Sequence, residues 1–123
     1  VDVNVGYATV SAFGAANVYK TSNGGGTWTP IVGSGLTAIP QVPARTIVVN
    51  PADTNQLFVG TDVGVFTSID GGLNWYRENT GFANVSVFSL KISESVPYKL
   101  FAFTHGRGAW VTNLADNGIL NPE

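Results

Sequence analysis

The sequence predicts an all-β protein built from short antiparallel strands, and three observations support this. Glycine supplies 15 of the 123 residues while only 11% are charged, which is typical of many strands joined by tight turns. Short segments rich in Val, Thr, Phe and Tyr alternate with turn residues, without sustained helical periodicity. A tryptophan-containing motif also occurs twice, with Trp28 and Trp75 lying 47 positions apart.

The repeat indicates how the strands are grouped. Residues 21–28 match residues 68–75, and Val18-Tyr19-Lys20 aligns with Val65-Phe66-Thr67 at the same offset. A repeat of about 40–50 residues that holds several short strands is the signature of a β-propeller blade. The sequence therefore predicts a single propeller segment over residues 1–123, with about two and a half four-stranded blades. The blade repeats lie at approximately 1–30, 45–78 and 85–114.

The middle repeat is complete. A β-branched segment at 45–50 is stopped by Pro51, which cannot continue a ladder. Turn residues then separate a second strand at 56–61 from a third at 65–68, and a fourth follows at 74–78. We label these strands A to D, with A innermost.

The flanking repeats show the same order but lack strands. The first predicts B, C and D at 5–10, 17–21 and 27–29, and leaves only residues 1–3 for strand A. The third predicts A, B and C at 85–92, 99–104 and 109–114. Ten strands are thus expected, grouped three, four and three, with no helix longer than about two turns.

The repeated motif has a physical explanation as a hairpin turn. Paired glycines adopt the positive φ that a tight turn requires, and Asp70 or Asn23 can accept hydrogen bonds from the turn amides. The tryptophan offers apolar area to pin the hairpin to the sheet. We favour this structural role over a metal or sugar site on Asp70. The structural residues are Thr21, Asn23, Gly24, Gly25, Thr27, Trp28, Ser68, Asp70, Gly71, Gly72, Asn74 and Trp75.

Both segments resemble the Asp-box, Ser/Thr-x-Asp-Gly-Gly-x-Ser/Thr-Trp, of the BNR-repeat propellers. That group includes sialidases, xyloglucanase-like glycosidases and sortilin-like receptors. Asn23 departs from the consensus Asp, and Asn74 departs from Ser/Thr. Residues 103–110 are similar to a Thr-Tyr/His-Gly-Arg-Gly-x-Trp stretch in the last blade of many such proteins. The resemblance implies that the chain forms the C-terminal blades of a larger propeller.

Three residues are candidates for binding a ligand. In an up-and-down blade the B–C turns and D–A crossings share one rim, opposite the Asp-boxes. This rim is expected to carry Asp62, His105, Arg107 and the long loop at 31–44. Arg107 could clamp a carboxylate, but residues 105–108 also suit a purely structural turn. The loop is either part of a functional rim or a simple crossing between blades.

The residues do not form a recognisable catalytic centre. Glycoside hydrolysis requires two carboxylates flanking the bond, and no second acid is evidently paired with Asp62. Because the chain has one histidine and no cysteine, an ordinary zinc site is not expected. We predict no catalytic residue, no cofactor and no metal site. The net charge of −2 without a basic patch argues against nucleic acid, and no apolar run is long enough to span a bilayer as a helix.

Two functions remain open. The first is a non-catalytic extracellular scaffold or protein-interaction module. The alternative is the C-terminal fragment of a glycoside hydrolase or carbohydrate-binding propeller with its catalytic residues upstream. Exposed strand edges need cover, so the expected partners are the rest of the propeller or other subunits, with carbohydrate as a candidate ligand. The expected location is extracellular, periplasmic or in the cell envelope.

Overall fold

A computed structural model describes residues 4–77, 85–104 and 108–114. These residues contain ten strands and one short 3₁₀ helix, Gly35–Thr37. The strands are β1 (Gly6–Thr9), β2 (Val18–Thr21), β3 (Thr29–Pro30), β4 (Ala44–Val49), β5 (Leu57–Thr61), β6 (Gly64–Ser68), β7 (Tyr76–Arg77), β8 (Val87–Ile92), β9 (Lys99–Thr104) and β10 (Ala109–Asn113).

The strands form three separate antiparallel sheets in chain order. Sheet 1 is β1-β2-β3, sheet 2 is β4-β5-β6-β7, and sheet 3 contains β8, β9 and β10 in that order. The predicted grouping of three, four and three strands is therefore confirmed for the described part of the chain. The predicted strand A at residues 1–3 lies outside the described residues. So do His105, Arg107 and the last residue of the predicted strand at 74–78.

Two hydrophobic cores lie between neighbouring sheets. One joins sheets 1 and 2 through Val18, Leu57, Val59 and Trp75, and the other joins sheets 2 and 3 through Phe58 and residues of β8 and β9. Because successive residues of a strand point to opposite faces, β5 contributes to both cores, and all five of its residues are buried. This pattern places sheet 2 in the middle of a face-to-face stack.

Gly60 allows sheets 2 and 3 to approach closely. A Cβ built on it would lie 2.6 Å from the Thr46 methyl group and 2.8 Å from Val87 Cγ1. Any side chain would therefore separate these strands or distort them. No helix in the described residues is long and apolar enough to cross a membrane.

The crossing segment, residues 31–44, connects sheet 1 to sheet 2 and contacts two distant turns. It begins at Ile31, whose amide donates to Val18 O at 2.9 Å, and ends where Ala44 N donates to Val10 O at 3.1 Å. The Asn17 side-chain amide holds its later part by donating to Pro40 O and Val42 O at 2.9 and 2.8 Å. The segment is thus fixed along its length by main-chain acceptors.

Candidate functional site

Two turns repeat one hydrogen-bond scheme at 47-residue spacing. We name residues 21–28 the first Gly-Gly turn and residues 68–75 the second Gly-Gly turn. In the second, the Ser68 hydroxyl donates to Asp70 Oδ1 at 2.8 Å and accepts from Gly72 N at 2.9 Å. Asp70 Oδ1 also accepts from Asn74 N at 2.9 Å. The side chains therefore satisfy the amides that the tight turn leaves unpaired.

The first Gly-Gly turn makes the same bonds with different residues. The Thr21 hydroxyl donates to Asn23 Oδ1 at 2.9 Å and accepts from Gly25 N at 3.0 Å. Asn23 Oδ1 in turn accepts from Thr27 N at 2.9 Å. Asn23 thus replaces an aspartate without loss, because only one acceptor oxygen is required at this point.

The partner at the seventh position of each turn changes with that acceptor. Asn74 Nδ2 donates to the second Asp70 oxygen at 2.7 Å. In the first turn the direction is reversed, and Asn23 Nδ2 donates to the Thr27 hydroxyl at 2.9 Å. The pairs Asp70–Asn74 and Asn23–Thr27 are therefore matched alternatives, each with one side-chain bond across its turn.

The Asp70 carboxylate is stabilised in its charged form. Burial raises the pKa of Asp70, but the hydrogen bonds from the Asn74 side chain and amide and from Ser68 outweigh it. The net result is a pKa below the ordinary value for Asp, because donors favour the ionised carboxylate. This arrangement suits a structural clasp.

The crossing segment covers the second Gly-Gly turn. Trp75 Nε1 donates to Ile31 O at 2.7 Å, and Trp75 N donates to Thr37 O at 2.9 Å. The Thr37 hydroxyl donates to Asn74 Oδ1 at 2.6 Å. As a result Trp75 is only 2% exposed, whereas Trp28 in the first turn is 45% exposed.

This contact corrects the predicted position of the loop at 31–44. The sequence predicts that the whole loop lies on the rim opposite the Gly-Gly turns. Only its end lies there, where Asp62 N donates to Pro43 O at 3.2 Å. Its first half runs over Trp75 instead, because the Trp75 indole and Gly72 present an apolar surface that Ile31 covers.

Asp62 lies in the β5–β6 turn and joins three parts of the chain. It forms an ion pair with Arg45 of β4, and its Oδ1 accepts a hydrogen bond from the Ser86 hydroxyl at 3.1 Å. The Arg45 and Asp62 side chains are 33% and 28% exposed, so both reach solvent. Among the described residues, no hydrogen bond to Asp62 Oδ2 is found. We name Asp62, Arg45 and Ser86 the Asp62 cluster.

The two turns on this rim share a threonine clasp. The Thr61 hydroxyl donates to Gly64 O at 2.8 Å, and the Thr104 hydroxyl donates to Gly108 O at 2.6 Å. Gly108 has a φ of +75°, which glycine adopts without steric cost. His105 and Arg107 lie between these ends and outside the described residues, so their ligand role stays a prediction.

Three residues of this architecture were not singled out by the sequence. Arg45 and Ser86 flank Asp62, and Asn17 holds the crossing segment. Arg45 and Asp62 are 17 positions apart and meet only because β4 and β5 pair with Ala44 opposite Thr61. The strand register would have been the signal, and it requires the bulge between Ala44 and Thr46.

The described residues contain no group of three or more His, Cys, Asp or Glu side chains that could hold a metal ion. Two open depressions lie among the described residues. One, of about 250 Å³, lies beside the first Gly-Gly turn between Lys20 and Thr29. The other, of about 410 Å³, lies between Val48 and Glu94.

Known proteins resemble this chain in sequence and in structure. A xyloglucanase of Hypocrea jecorina (strain QM6a) is 31% identical over 91 residues, which cover 70% of this chain and 11% of the xyloglucanase. The crystal structure of an ancestral GH74 enzyme superposes with a TM-score of 0.65 at 18% identity, covering 99% of this chain and 18% of that one. No protein-family profile matches the chain.

These likenesses establish the fold. The chain has a β-propeller fold like that of glycoside hydrolases, and its three sheets are about two and a half four-stranded blades. We therefore call sheets 1, 2 and 3 the first, second and third blades. The chain spans about a tenth of the xyloglucanase that it matches.

Proposed function

We propose that this chain is part of a glycoside hydrolase-like propeller that binds xyloglucan. The observation that carries the proposal is the 31% identity to a xyloglucanase over most of the chain. Of the two functions that the sequence left open, this similarity favours the carbohydrate-active propeller. Hydrolysis needs a pair of carboxylates, and the sequence shows no second acid evidently paired with Asp62. We therefore propose that this chain supplies blades and part of a binding rim.

The Asp62 cluster is the proposed point of contact with sugar. Its carboxylate is partly exposed, and Arg45 and Ser86 hold Oδ1. The second oxygen can therefore accept a bond from a sugar hydroxyl while the ion pair fixes the side chain. His105 and Arg107 are proposed for the same rim, because Thr104 and Gly108 close their turn as Thr61 and Gly64 close the turn of Asp62.

We further infer that both Gly-Gly turns are Asp-boxes with a structural role. Support comes from the repeated hydroxyl–acceptor–amide scheme, in which every named side chain is used within its own turn. The domain boundaries are proposed at 1–30, 45–78 and 85–114, as C-terminal blades of a larger propeller. A polymer substrate that cannot enter a cell agrees with an extracellular or cell-envelope location.

Retardation in a polyacrylamide gel containing xyloglucan tests the proposal. The chain is expected to migrate more slowly with increasing polymer, and Asp62→Asn to reduce the retardation because a neutral amide accepts more weakly. Glu94→Gln removes the same charge from an exposed position and should migrate like the unchanged protein. Equal retardation of all three proteins would exclude Asp62 from the contact.

The second candidate function is the non-catalytic scaffold. The full use of Asp62 Oδ1 in internal bonds favours it, since the cluster joins β4, the β5–β6 turn and the start of the third blade. Migration that does not change with xyloglucan in the gel, together with stable assembly of the protein onto other subunits, would support the scaffold instead.

A further inference from the structure

We propose that the first Gly-Gly turn is a docking site for the crossing segment of a preceding blade. The proposal rests on the proposed larger propeller and adds which residues receive the neighbour and what that neighbour must present. The second Gly-Gly turn provides the template, because this chain already shows the complete contact there.

The template consists of three features of residues 31–37. The Ile31 carbonyl accepts the Trp75 indole N–H, and the Thr37 carbonyl accepts the Trp75 main-chain N–H. The Ile31 side chain packs over Gly72, where a Cβ would lie 2.8 Å from Ile31 Cδ1. The segment therefore offers one aliphatic side chain and two carbonyls six residues apart.

The first Gly-Gly turn has the same receiving groups without the contacts. Trp28 is 45% exposed, and no hydrogen bond to its indole or main-chain N–H is found among the described residues. A Cβ on Gly25, the counterpart of Gly72, would meet only Trp28 Cζ2 at 4.0 Å. The backbone at the two glycines is nearly identical, with φ of +97° and +99°.

The occupant follows from this equivalence. The Trp28 surface needs an extended segment with an aliphatic residue over Gly25 and carbonyl acceptors for the two N–H groups of Trp28. Thr27 takes the place of Asn74, and its hydroxyl can still accept a hydrogen bond from a threonine at the position equivalent to Thr37. A crossing segment of the 31–37 type meets all these requirements.

A peptide of residues 30–40 is the probe. Titrated into the ¹⁵N-labelled 123-residue protein, it is expected to shift the indole N–H resonance of Trp28 saturably and to leave that of Trp75 in place. Trp75 is already covered by the same segment within the chain, whose effective concentration a free peptide cannot match. Trp28→Phe assigns the resonance by removing it.

Two peptide variants define the specificity. Ile31→Ala in the peptide should weaken binding about tenfold, because it removes the apolar area that covers Gly25. Replacing Leu36, which is fully exposed in the chain, by Ala should leave affinity unchanged. No shift of the Trp28 indole at millimolar peptide would overturn the proposal, as would equal binding of all three peptides.

Failure of the docking site on the first Gly-Gly turn is distinguishable from failure of the proposed xyloglucan binding. Xyloglucan is expected to act on the rim of the Asp62 cluster, whereas the peptide acts on Trp28. A shift of Trp28 with xyloglucan oligosaccharide but not with peptide would overturn the docking site and leave sugar binding supported.

Discussion

At the scale of single residues, the acceptor in each Gly-Gly turn carries most of the turn's polar network. Asp70 Oδ1 accepts from Ser68 and from the Asn74 amide, while Oδ2 accepts from the Asn74 side chain. Asn23 Oδ1 accepts from the Thr21 hydroxyl and from the Thr27 amide, while Asn23 Nδ2 donates to the Thr27 hydroxyl. One acceptor oxygen is therefore required in both turns, whereas a second one is used only in the second turn, where Asn74 donates to it.

Asp70→Ala should lower the free energy of unfolding by about 1 kcal/mol, and by up to about 3 kcal/mol if turn amides stay buried and unpaired. Asn23→Ala should cost less, because Thr27, whose amide it leaves unpaired, is an exposed residue. Urea unfolding of both variants measures the difference. An Asp70→Ala protein of unchanged stability that loses a specific ligand or metal would contradict the structural role.

Asp70 also predicts a pH dependence. Its pKa in the folded protein lies below the unfolded value of about 3.9, so its stabilisation is present above that value and is lost as pH falls through the folded pKa. Asp70→Asn should therefore be least stable relative to the unchanged protein near pH 7 and converge with it in strong acid. Urea unfolding across pH 2–7 measures this, with Glu94→Gln as the control for net charge.

At the scale of elements, strand order followed from the sequence while contacts between blades did not. Pro51, Gly64 and the paired glycines mark strand ends, since proline and glycine act locally. Trp28 and Trp75 look equivalent in sequence, yet one is half exposed. Their difference depends on the segment at 31–39, which reaches Trp75 across 44 positions. The Arg45–Asp62 pair lies within the second blade and did not follow from the sequence because it depends on the register of β4 against β5.

The two tryptophans should respond differently to truncation. Trp75→Ala is expected to cost roughly 3–5 kcal/mol, because it empties a buried site and leaves Ile31 O unpaired. Trp28→Ala should cost roughly 1–2 kcal/mol, in proportion to its smaller buried area. Chemical denaturation compares them directly. Equal costs would show that the first turn is as well covered as the second.

The paired glycines give a matched test of the blade contact. Gly25→Ala and Gly72→Ala share the strain of a positive φ, but only the second methyl group collides with Ile31. Gly72→Ala should therefore be less stable by about 1–3 kcal/mol. Adding Ile31→Ala to each variant should remove the extra destabilisation of Gly72→Ala and should bring no such gain to Gly25→Ala. A difference that survives in the double variants would place its cause elsewhere in the turn.

At the scale of the whole molecule, the blade stack presents strand edges. Among the described residues the second blade contains four strands, whereas the first and third blades each contain three. Unpaired edges invite another strand, and a closed propeller has about four to eight blades. We propose that the rest of the propeller, or other subunits, cover these edges.

The 123-residue protein should accordingly self-associate in dilute solution. Sedimentation velocity over a concentration series is expected to show a weight-average mass that rises with concentration. Val111→Lys should reduce association, because Val111 is a 55% exposed apolar residue and the lysine places a charge on that apolar surface. A monomer at every concentration would contradict the proposed open edges.

We propose that this chain belongs to a xyloglucan-binding propeller and that its two rims differ in role. The most direct test is amide chemical-shift mapping of the ¹⁵N-labelled protein during titration with a xyloglucan oligosaccharide. We expect saturable shifts at Arg45, Asp62 and Ser86, with the Gly-Gly turns unmoved. Shifts confined to the Gly-Gly turns, or none at any residue, would contradict it.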